Sequence, residues 1–336
     1  MTRACRADVL VAPRQPRPEE PDVTTHTPVD HDPHQPRPTE QAPGGKPPGG
    51  PGPRRVLARH PVTWFFTLAF ALSWLAWTPY ILSGNGLGLW HFTFPGGALG
   101  SQLLGVLPGA YLGPIGSALL VTWCAEGRAG LRAWRRRMTR FRVGARWYAL
   151  VLVSVPAALI VCTAAVSGQD PVLPPAAVLL AYLPALALQM VTTGLAEEPG
   201  WREFAMPRLQ DRYGPLGATL VVGPLWGAWH LPLFLTEWGG GPHVDPVKPV
   251  EFMATTLAFS AVLTWLFNRS GESMPLVMLA HTSVNNYFST AWTDMFPSVP
   301  DAVTGHAFLL ASVTAALILL VVTRGRLGLR PAPVTG

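Results

Sequence analysis

Residues 62–82 read VTWFFTLAFALSWLAWTPYIL and contain no charged side chain. They lie within a longer stretch, from His60 to Ala125, that has no Asp, Glu, Lys or Arg. About 20 apolar residues in a helix cross the hydrocarbon core of a bilayer, so this stretch has room for two crossings. The glycine-rich residues 83–100 separate the two, and we predict membrane helices near Val62–Leu82 and Gln102–Cys124.

Six further charge-free gaps follow these two helices. They lie between Arg146 and Asp170, Asp170 and Glu197, Arg212 and Glu237, Glu251 and Arg269, Glu272 and Asp294, and Asp301 and Arg324. The gap from Glu251 to Arg269 is the shortest, because about 17 residues is the lower limit for a crossing. The pattern therefore predicts an all-α, polytopic membrane protein with about eight transmembrane helices in residues 54–336.

The composition agrees with a membrane protein and excludes several other classes. Of the 336 residues, 49% are hydrophobic and 13% are charged, against about 25% charged in a typical soluble domain. No separate run of basic and aromatic residues indicates nucleic-acid binding, so we expect no nucleic-acid partner. Cys5, Cys124 and Cys162 have no paired or metal-like spacing, which argues against disulfides and a cysteine zinc site.

Residues 1–53 form a distinct N-terminal segment. They contain 13 Pro and 5 Gly and no Phe, Trp or Tyr, a composition that cannot bury enough apolar surface to fold. We predict a disordered cytoplasmic tail.

The basic residues predict the orientation of the chain. With both termini cytoplasmic, 18 of the 19 basic residues in 54–336 fall on the inner side and only Lys248 falls outside, as the positive-inside rule requires. We therefore predict a multi-pass protein of the cell membrane with both termini in the cytoplasm. The eight arginines from Arg128 to Arg146 are interpreted as a topology anchor that contacts anionic lipid headgroups.

A few ionisable residues fall at membrane depth, where a charge commonly costs about 2.5 to 3.5 kcal/mol and so indicates a function. They are Glu197 and Glu198 at the end of one apolar segment, His230 inside a second, and His281 with Asn285 inside a third. His230 lies about 15 residues past the predicted inner end of its helix and is therefore deeper in the membrane than Glu197 and His281. Only a tilt of its helix or a wide cavity would bring the three residues to the same depth.

Helix geometry gives these residues different roles. Glu198 and Arg202 are four apart and share a face, whereas Glu197 is turned away from Arg202 by about 140°. Glu198 is thus the expected ion-pair partner and Glu197 the free carboxylate, although Pro199 disfavours helical geometry at Glu198 and is expected to open a kink there. His281 and Asn285 are four apart and face one cavity.

Each of these residues also has a purely structural explanation. The carboxylate pair could be an interfacial ion-pair cluster, His230 a packing residue, and Asn285 an interhelical hydrogen bond. The combination of a Glu, two His and an Asn on three helices instead favours water activation by a general base. The two imidazoles and a carboxylate could bind a divalent metal such as zinc through His230, His281 and Glu197, or they could stabilise an oxyanion directly. No HExxH, GxSxG or phosphate-binding loop is present in the sequence.

In order and spacing, Glu197-Glu198-x-x-x-Arg202, Trp226-x-x-x-His230 and His281-x-x-x-Asn285 resemble the EExxxR, FxxxH and HxxxN motifs of the CAAX-protease and bacteriocin-processing (CPBP, or Abi) family of intramembrane endopeptidases. In this chain Trp226 replaces the usual Phe, and Glu203 stands where many relatives have Gly.

The resemblance implies a role for each motif residue within a catalytic core around residues 176–292. Glu197 would activate water, with Glu198 and Arg202 in support. His230 would position the water or bind metal, and His281 with Asn285 would stabilise the oxyanion.

We therefore predict a membrane endopeptidase whose site opens toward the cytoplasm. The family resemblance implies that it is similar to metalloendopeptidases. Its substrate would be a prenylated CAAX protein or a bacterial peptide in maturation or self-immunity. The alternative from another class is a non-proteolytic membrane scaffold or a transporter-like binding protein with the same fold.

Overall fold

The computed structural model describes residues 53–329, and within them all regular structure is helical. Residues 1–52, which hold nearly all of the predicted tail, lie outside the described residues. The α-helices are α1 (Pro53–Arg59), α2 (Pro61–Leu82), α3 (Gly97–Gly105), α4 (Leu107–Ala110), α5 (Gly116–Met138), α6 (Ala145–Ser167), α7 (Ala176–Gln189), α8 (Leu195–Glu198), α9 (Met206–Trp229), α10 (Val247–Arg269), α11 (Met274–Asn286), α12 (Trp292–Met295) and α13 (Ala302–Thr323). The expected all-α class is confirmed.

Within residues 53–329, six helical segments are long and apolar enough to cross a membrane. They are Pro61–Leu82, Leu107–Met138, Ala145–Ser167, Ala176–Leu235, Val247–Arg269 and Ala302–Thr323. The protein is a multi-pass membrane protein.

The number six differs from the predicted eight for two structural reasons. Ala176–Leu235 is 60 residues long and contains two of the predicted crossings, which are joined without a loop. The crossing predicted between Glu272 and Asp294 contains α11, which has only 13 residues and buries nearly all of them inside the bundle.

Short π-helical segments interrupt the helices that carry the motif residues. Met190–Gly194 and Pro199–Ala205 flank α8, and Tyr287–Ala291 follows α11. Pro199 has no backbone N–H to donate to the preceding turn, and the helix widens from this residue onward. The expected disturbance therefore begins at Pro199, whereas Glu198 itself keeps helical angles, with φ −60° and ψ −33°.

Small residues let the helices around α8 approach closely, as is common in membrane bundles. A methyl group built on Gly200 would lie 2.7 Å from Cβ of Pro114 and 2.8 Å from its backbone carbonyl. Only a glycine therefore allows the Pro199–Ala205 segment to pack against the π-helical turn Tyr111–Ile115.

The two ends of the bundle differ in charge. At one end, Arg137 forms ion pairs with both Glu203 and Glu272; we call this the arginine-rich end because it carries the arginines of residues 128–146. At the opposite end, the loop after α2 meets the chain after α9, where Asn85 Nδ2 donates to Glu237 Oε2 at 2.9 Å. This segregation follows the charge pattern from which the orientation was predicted.

Candidate active site

Residues of all three motifs meet at one cavity of about 570 Å³. Its lining includes Glu197 from α8, His230 from the end of α9, and His281 and Asn285 from α11. This volume is within the usual range for small-molecule sites.

His230 reaches the other residues because the chain reverses at Gly214. The 33 residues from Glu197 to His230 would span about 50 Å in a straight helix at 1.5 Å per residue. Instead His230 Nε2 lies 3.8 Å from Glu197 Oε2. Within α9, Gly214 has φ 69° and ψ 172°, a conformation that glycine adopts without a steric penalty. A reversal, rather than the tilt considered from the sequence, brings His230 to the depth of Glu197.

Glu197 lies at the inner wall of the cavity with 7% of its surface exposed. Its Oε2 atom accepts a hydrogen bond of 2.8 Å from Trp226 Nε1 and faces His230. No ion pair between Glu197 and an arginine occurs in the described part of the chain. Glu197 is therefore the carboxylate that faces the cavity, as the helical spacing predicted.

Glu198 is fully buried and binds two cationic or polar partners through one oxygen. Its Oε1 atom lies 3.2 Å from Arg202 Nη1 and 2.7 Å from His281 Nδ1. The expected i,i+4 ion pair is present, and the contact with His281 extends it to α11. Glu198 thus connects the first motif to the third.

Arg202 is held on two further sides. Its Nη2 atom donates to Ser260 Oγ at 2.9 Å, and its guanidinium lies 4.0 Å from the centre of the Trp226 ring. A cation over an indole face is stabilised by the ring quadrupole. The buried charge of Arg202 is therefore compensated by Glu198, an aromatic face and a hydroxyl group.

The backbone fixes the tautomer of His230. Its Nδ1 atom lies 2.9 Å from the carbonyl oxygen of Trp226, and a carbonyl can only accept, so Nδ1 carries the proton. In the neutral ring the lone pair is on Nε2, which faces Glu197. The ring stacks on Trp238 with centroids 5.4 Å apart and meets Phe252 edge to face, which holds its orientation.

His281 and Asn285 present polar groups to the same cavity, as predicted. Nδ1 of His281 donates to Glu198, so its Nε2 atom is the one left for other partners. Asn285 is half-buried and lines the cavity. Its neighbour Asn286 is fully buried and donates instead to the carbonyl of Tyr182, so it has a packing role.

The residues do not form a preassembled metal site. In residues 53–329, no three His, Cys, Asp or Glu side chains are close enough together to hold a metal ion. His281 directs Nδ1 to Glu198, while His230 Nε2 lies 3.8 Å from Glu197 Oε2. The candidate ligands His230, His281 and Glu197 thus do not fit a three-residue metal centre in this arrangement.

The cavity extends away from the arginine-rich end. From Glu197 its wall continues to Ala185 on α7, and from His281 along α11 into the Tyr287–Ala291 segment. Trp238 and Leu99 line its far part. These residues lie toward the opposite end, where Asn85 and Glu237 meet. With the orientation predicted from the basic residues, this is the outer half of the bilayer, so cytoplasmic termini and a cytoplasmic opening of this cavity cannot both hold, and each stays a prediction.

Sequence reasoning missed some of the residues that hold the site. Trp226 was noted only as an aromatic replacement for Phe, yet its N–H binds Glu197, and Ser260 and Trp238 were not identified. The usable signal is Trp226 itself, because a buried indole N–H needs an acceptor and the carboxylates of the first motif are expected at the same cavity. Glu203, which stands where many relatives have Gly, pairs with Arg137 at 2.7 Å.

Comparison with known proteins agrees with these motifs. Residues 177–287 match the family described as type II CAAX prenyl endopeptidase, Rce1-like. The chain is also 26% identical over 116 residues to CAAX prenyl protease 2 of Methanococcus maripaludis. That alignment covers 31% of this chain and 39% of the relative's length. The family match contains every motif residue from Glu197 to Asn285.

Proposed function

On the premise that residues 177–287 belong to the CAAX-protease family, we propose that this protein is an intramembrane endopeptidase in which Glu197 activates water. One observation carries the proposal: Glu197 Oε2 and His230 Nε2 are 3.8 Å apart at the wall of a cavity that His281 and Asn285 also line. A general base beside hydrogen-bond donors is the arrangement that amide hydrolysis needs.

In the proposed mechanism the nucleophilic water binds between Glu197 and His230. Nε2 of neutral His230 accepts a hydrogen bond from the water, which orients it, and the Glu197 carboxylate takes its proton. The water oxygen forms a bond to the carbonyl carbon of the substrate. When the C–N bond breaks, Glu197 returns the proton to the leaving amine, so that acid and base functions belong to one carboxyl group.

Asn285 and His281 are the proposed donors to the developing oxyanion. The Asn285 amide donates in any protonation state, whereas His281 donates from Nε2 only when its ring carries both protons. Glu198 and Arg202 act as positioning residues: Glu198 on α8 binds His281, Arg202 binds Glu198, and neither of them lines the cavity. Removing one oxyanion donor typically reduces turnover by about 10² to 10³-fold.

The proposed substrate is the C-terminal peptide of a prenylated CAAX protein. The support is the name of the archaeal relative and the family match, together with an apolar cavity wall that includes Leu103, Leu107 and Phe308. Such a wall suits a lipid-modified chain that arrives from the bilayer.

The first test compares wild type with Glu197→Gln in reconstituted membranes supplied with a prenylated CAAX peptide. Glutamine keeps the shape of the side chain but cannot accept the proton, so we expect cleavage to fall by about 10² to 10⁴-fold. Asp211→Asn is the matched control. It also replaces a carboxylate by an amide, but at an exposed position outside the cavity.

Equal cleavage by wild type and Glu197→Gln would exclude Glu197 as the base. A cellular phenotype that survives both Glu197→Gln and His230→Ala would instead favour the non-proteolytic membrane scaffold. Metal analysis of the purified protein addresses the candidate zinc: stoichiometric metal that is lost in His230→Ala would show a metal site there.

A further inference from the structure

A second cavity, of about 550 Å³, lies at the arginine-rich end, between the loop after α5 and the turn from α10 to α11. It is separate from the proposed active site and shares none of its lining residues. Its charged and aromatic lining residues are Arg140, Arg142, Arg146, Arg269, Glu272 and Trp147.

The charges of this cavity are unbalanced. Across residues 53–329, none of its four arginines forms an ion pair with a carboxylate. Glu272, the acidic residue in the lining, is already bound to Arg137, with Arg137 Nε 2.6 Å from Glu272 Oε2. A ligand in the cavity therefore meets four guanidinium groups and no free carboxylate from the described chain.

Contacts of Arg140 tie the loop after α5 to the chain that follows Arg269. The carbonyl oxygen of Arg140 accepts a 2.7 Å hydrogen bond from Ser273 Oγ, which ties the loop after α5 to the start of α11. The Arg140 guanidinium crosses Gly271, where an added methyl group would lie 3.0 Å from Nη2. The two segments that supply the four arginines are thus joined to each other.

Trp147 indicates where the cavity lies relative to the bilayer. It is near the start of α6 and packs against Trp265 near the end of α10, with ring centroids 5.7 Å apart. Tryptophans beside helix ends are typical of the interface between hydrocarbon and headgroups. The cavity is therefore at headgroup level.

We propose that this cavity binds the phosphate of an anionic phospholipid. Guanidinium groups bind phosphate oxygens in pairs, and basic pockets between membrane helices recognise anionic headgroups. A choline headgroup would bring a cation that needs a carboxylate, and Glu272 is already engaged by Arg137. The cavity thus selects phosphatidylglycerol over phosphatidylcholine, and this selection does not depend on the proposed enzymatic function.

Native mass spectrometry of the full-length protein, titrated with either lipid, tests the proposal. We expect wild type to bind phosphatidylglycerol in preference to phosphatidylcholine. In the double variant Arg140→Gln/Arg269→Gln the affinity for phosphatidylglycerol should fall by about 30-fold, since each of the two basic residues contributes about 1 kcal/mol at an anionic surface. The single variant Arg142→Gln, at an exposed position, gives a second measurement if the double variant unfolds.

The matched control is Arg132→Gln/Arg136→Gln. Both residues are exposed, are near the same end, and are absent from the cavity lining, so the net charge changes equally; affinity should stay within about twofold of wild type. Equal losses in the two double variants, or no preference for phosphatidylglycerol in wild type, would overturn the proposal. Inorganic phosphate distinguishes the source of the phosphate group: if it binds to wild type and phosphatidylglycerol does not, the ligand is a soluble anion and the lipid assignment is wrong.

Discussion

At the scale of single residues, the site depends on which polar atoms are committed to other partners. One oxygen of Glu198 binds both Arg202 and His281, and the backbone holds Nδ1 of His230. Glu197 Oε2 and His230 Nε2 remain directed at the cavity. Two adjacent glutamates therefore differ in role because of their partners, although they have the same chemistry.

Trp226 gives the first prediction at this scale. Trp226→Phe restores the aromatic residue that the resemblance leads one to expect, but removes the N–H that donates to Glu197 Oε2 at 2.8 Å. A hydrogen bond to a charged group contributes about 1.5 to 3 kcal/mol, so the carboxylate should lose its fixed orientation. We expect kcat to fall by about tenfold or more while KM changes little.

Trp229→Phe is the control for this substitution, because Trp229 is also buried but its Nε1 atom has no hydrogen-bond partner among the described residues. Steady-state cleavage and thermal unfolding are measured for both variants. If Trp229→Phe lowers kcat as much as Trp226→Phe, the effect comes from packing and the indole hydrogen bond has no role in positioning Glu197.

At the scale of elements, the interruptions of the helices position the site. The reversal at Gly214 brings His230 to Glu197, and the wide turn that begins at Pro199 follows directly after the two glutamates. π-Helical turns are frequent at functional sites because they re-aim side chains that a regular helix would place elsewhere.

Gly200 supplies the prediction at this scale. Gly200→Ala would force a methyl group to within 2.8 Å of the Pro114 backbone, and backbone atoms cannot move away as a side chain can. Such overpacking typically costs about 1 to 3 kcal/mol. We expect a lower Tm by several degrees and reduced cleavage, since the displaced segment carries Arg202.

Gly116→Ala is the comparison variant for Gly200→Ala. Gly116 begins α5, and a methyl group there would lie 3.1 Å from its nearest neighbour, the carbonyl oxygen of Tyr111. A shift of a few tenths of an ångström relieves this contact. Thermal unfolding of both variants is measured in the same detergent. A Tm for Gly200→Ala equal to that of wild type would show that the α8 region tolerates a wider spacing from Tyr111–Ile115.

At the scale of the whole molecule, the orientation in the membrane decides from which side a substrate reaches Glu197. The basic residues predict that the arginine-rich end is cytoplasmic, while the cavity extends toward the other end. In this orientation we expect a membrane-impermeant thiol reagent to label His243→Cys in intact cells and Arg132→Cys only after permeabilisation. Both positions are exposed, and Cys5, Cys124 and Cys162 are replaced by Ser beforehand.

The reverse labelling pattern would show that the positive-inside prediction fails for this chain. The cavity would then open to the cytoplasm, as first expected from the sequence. Equal labelling of both positions before permeabilisation would indicate a leaky preparation, which a cytoplasmic marker protein detects in the same experiment.

The sequence by itself determined the helical membrane class and singled out polar residues that line one cavity in the structure. Both follow from local properties: charge-free runs of sufficient length form helices in a bilayer, and ionisable residues inside such runs are conspicuous because they are costly there. The i,i+4 spacing also predicted the pairing of Glu198 with Arg202 and the shared face of His281 and Asn285.

Only the tertiary structure decided how these residues meet. Helical periodicity relates residues within one helix, but the contact between Glu198 and His281 joins residues 83 positions apart, and it depends on how two helices pack. Likewise, hydropathy predicts that the chain turns back between Glu197 and His230, but it does not reveal that the turn lies at Gly214 or that α11 is buried inside the bundle. The side on which the cavity extends follows from such long-range packing, which no local pattern of residues encodes.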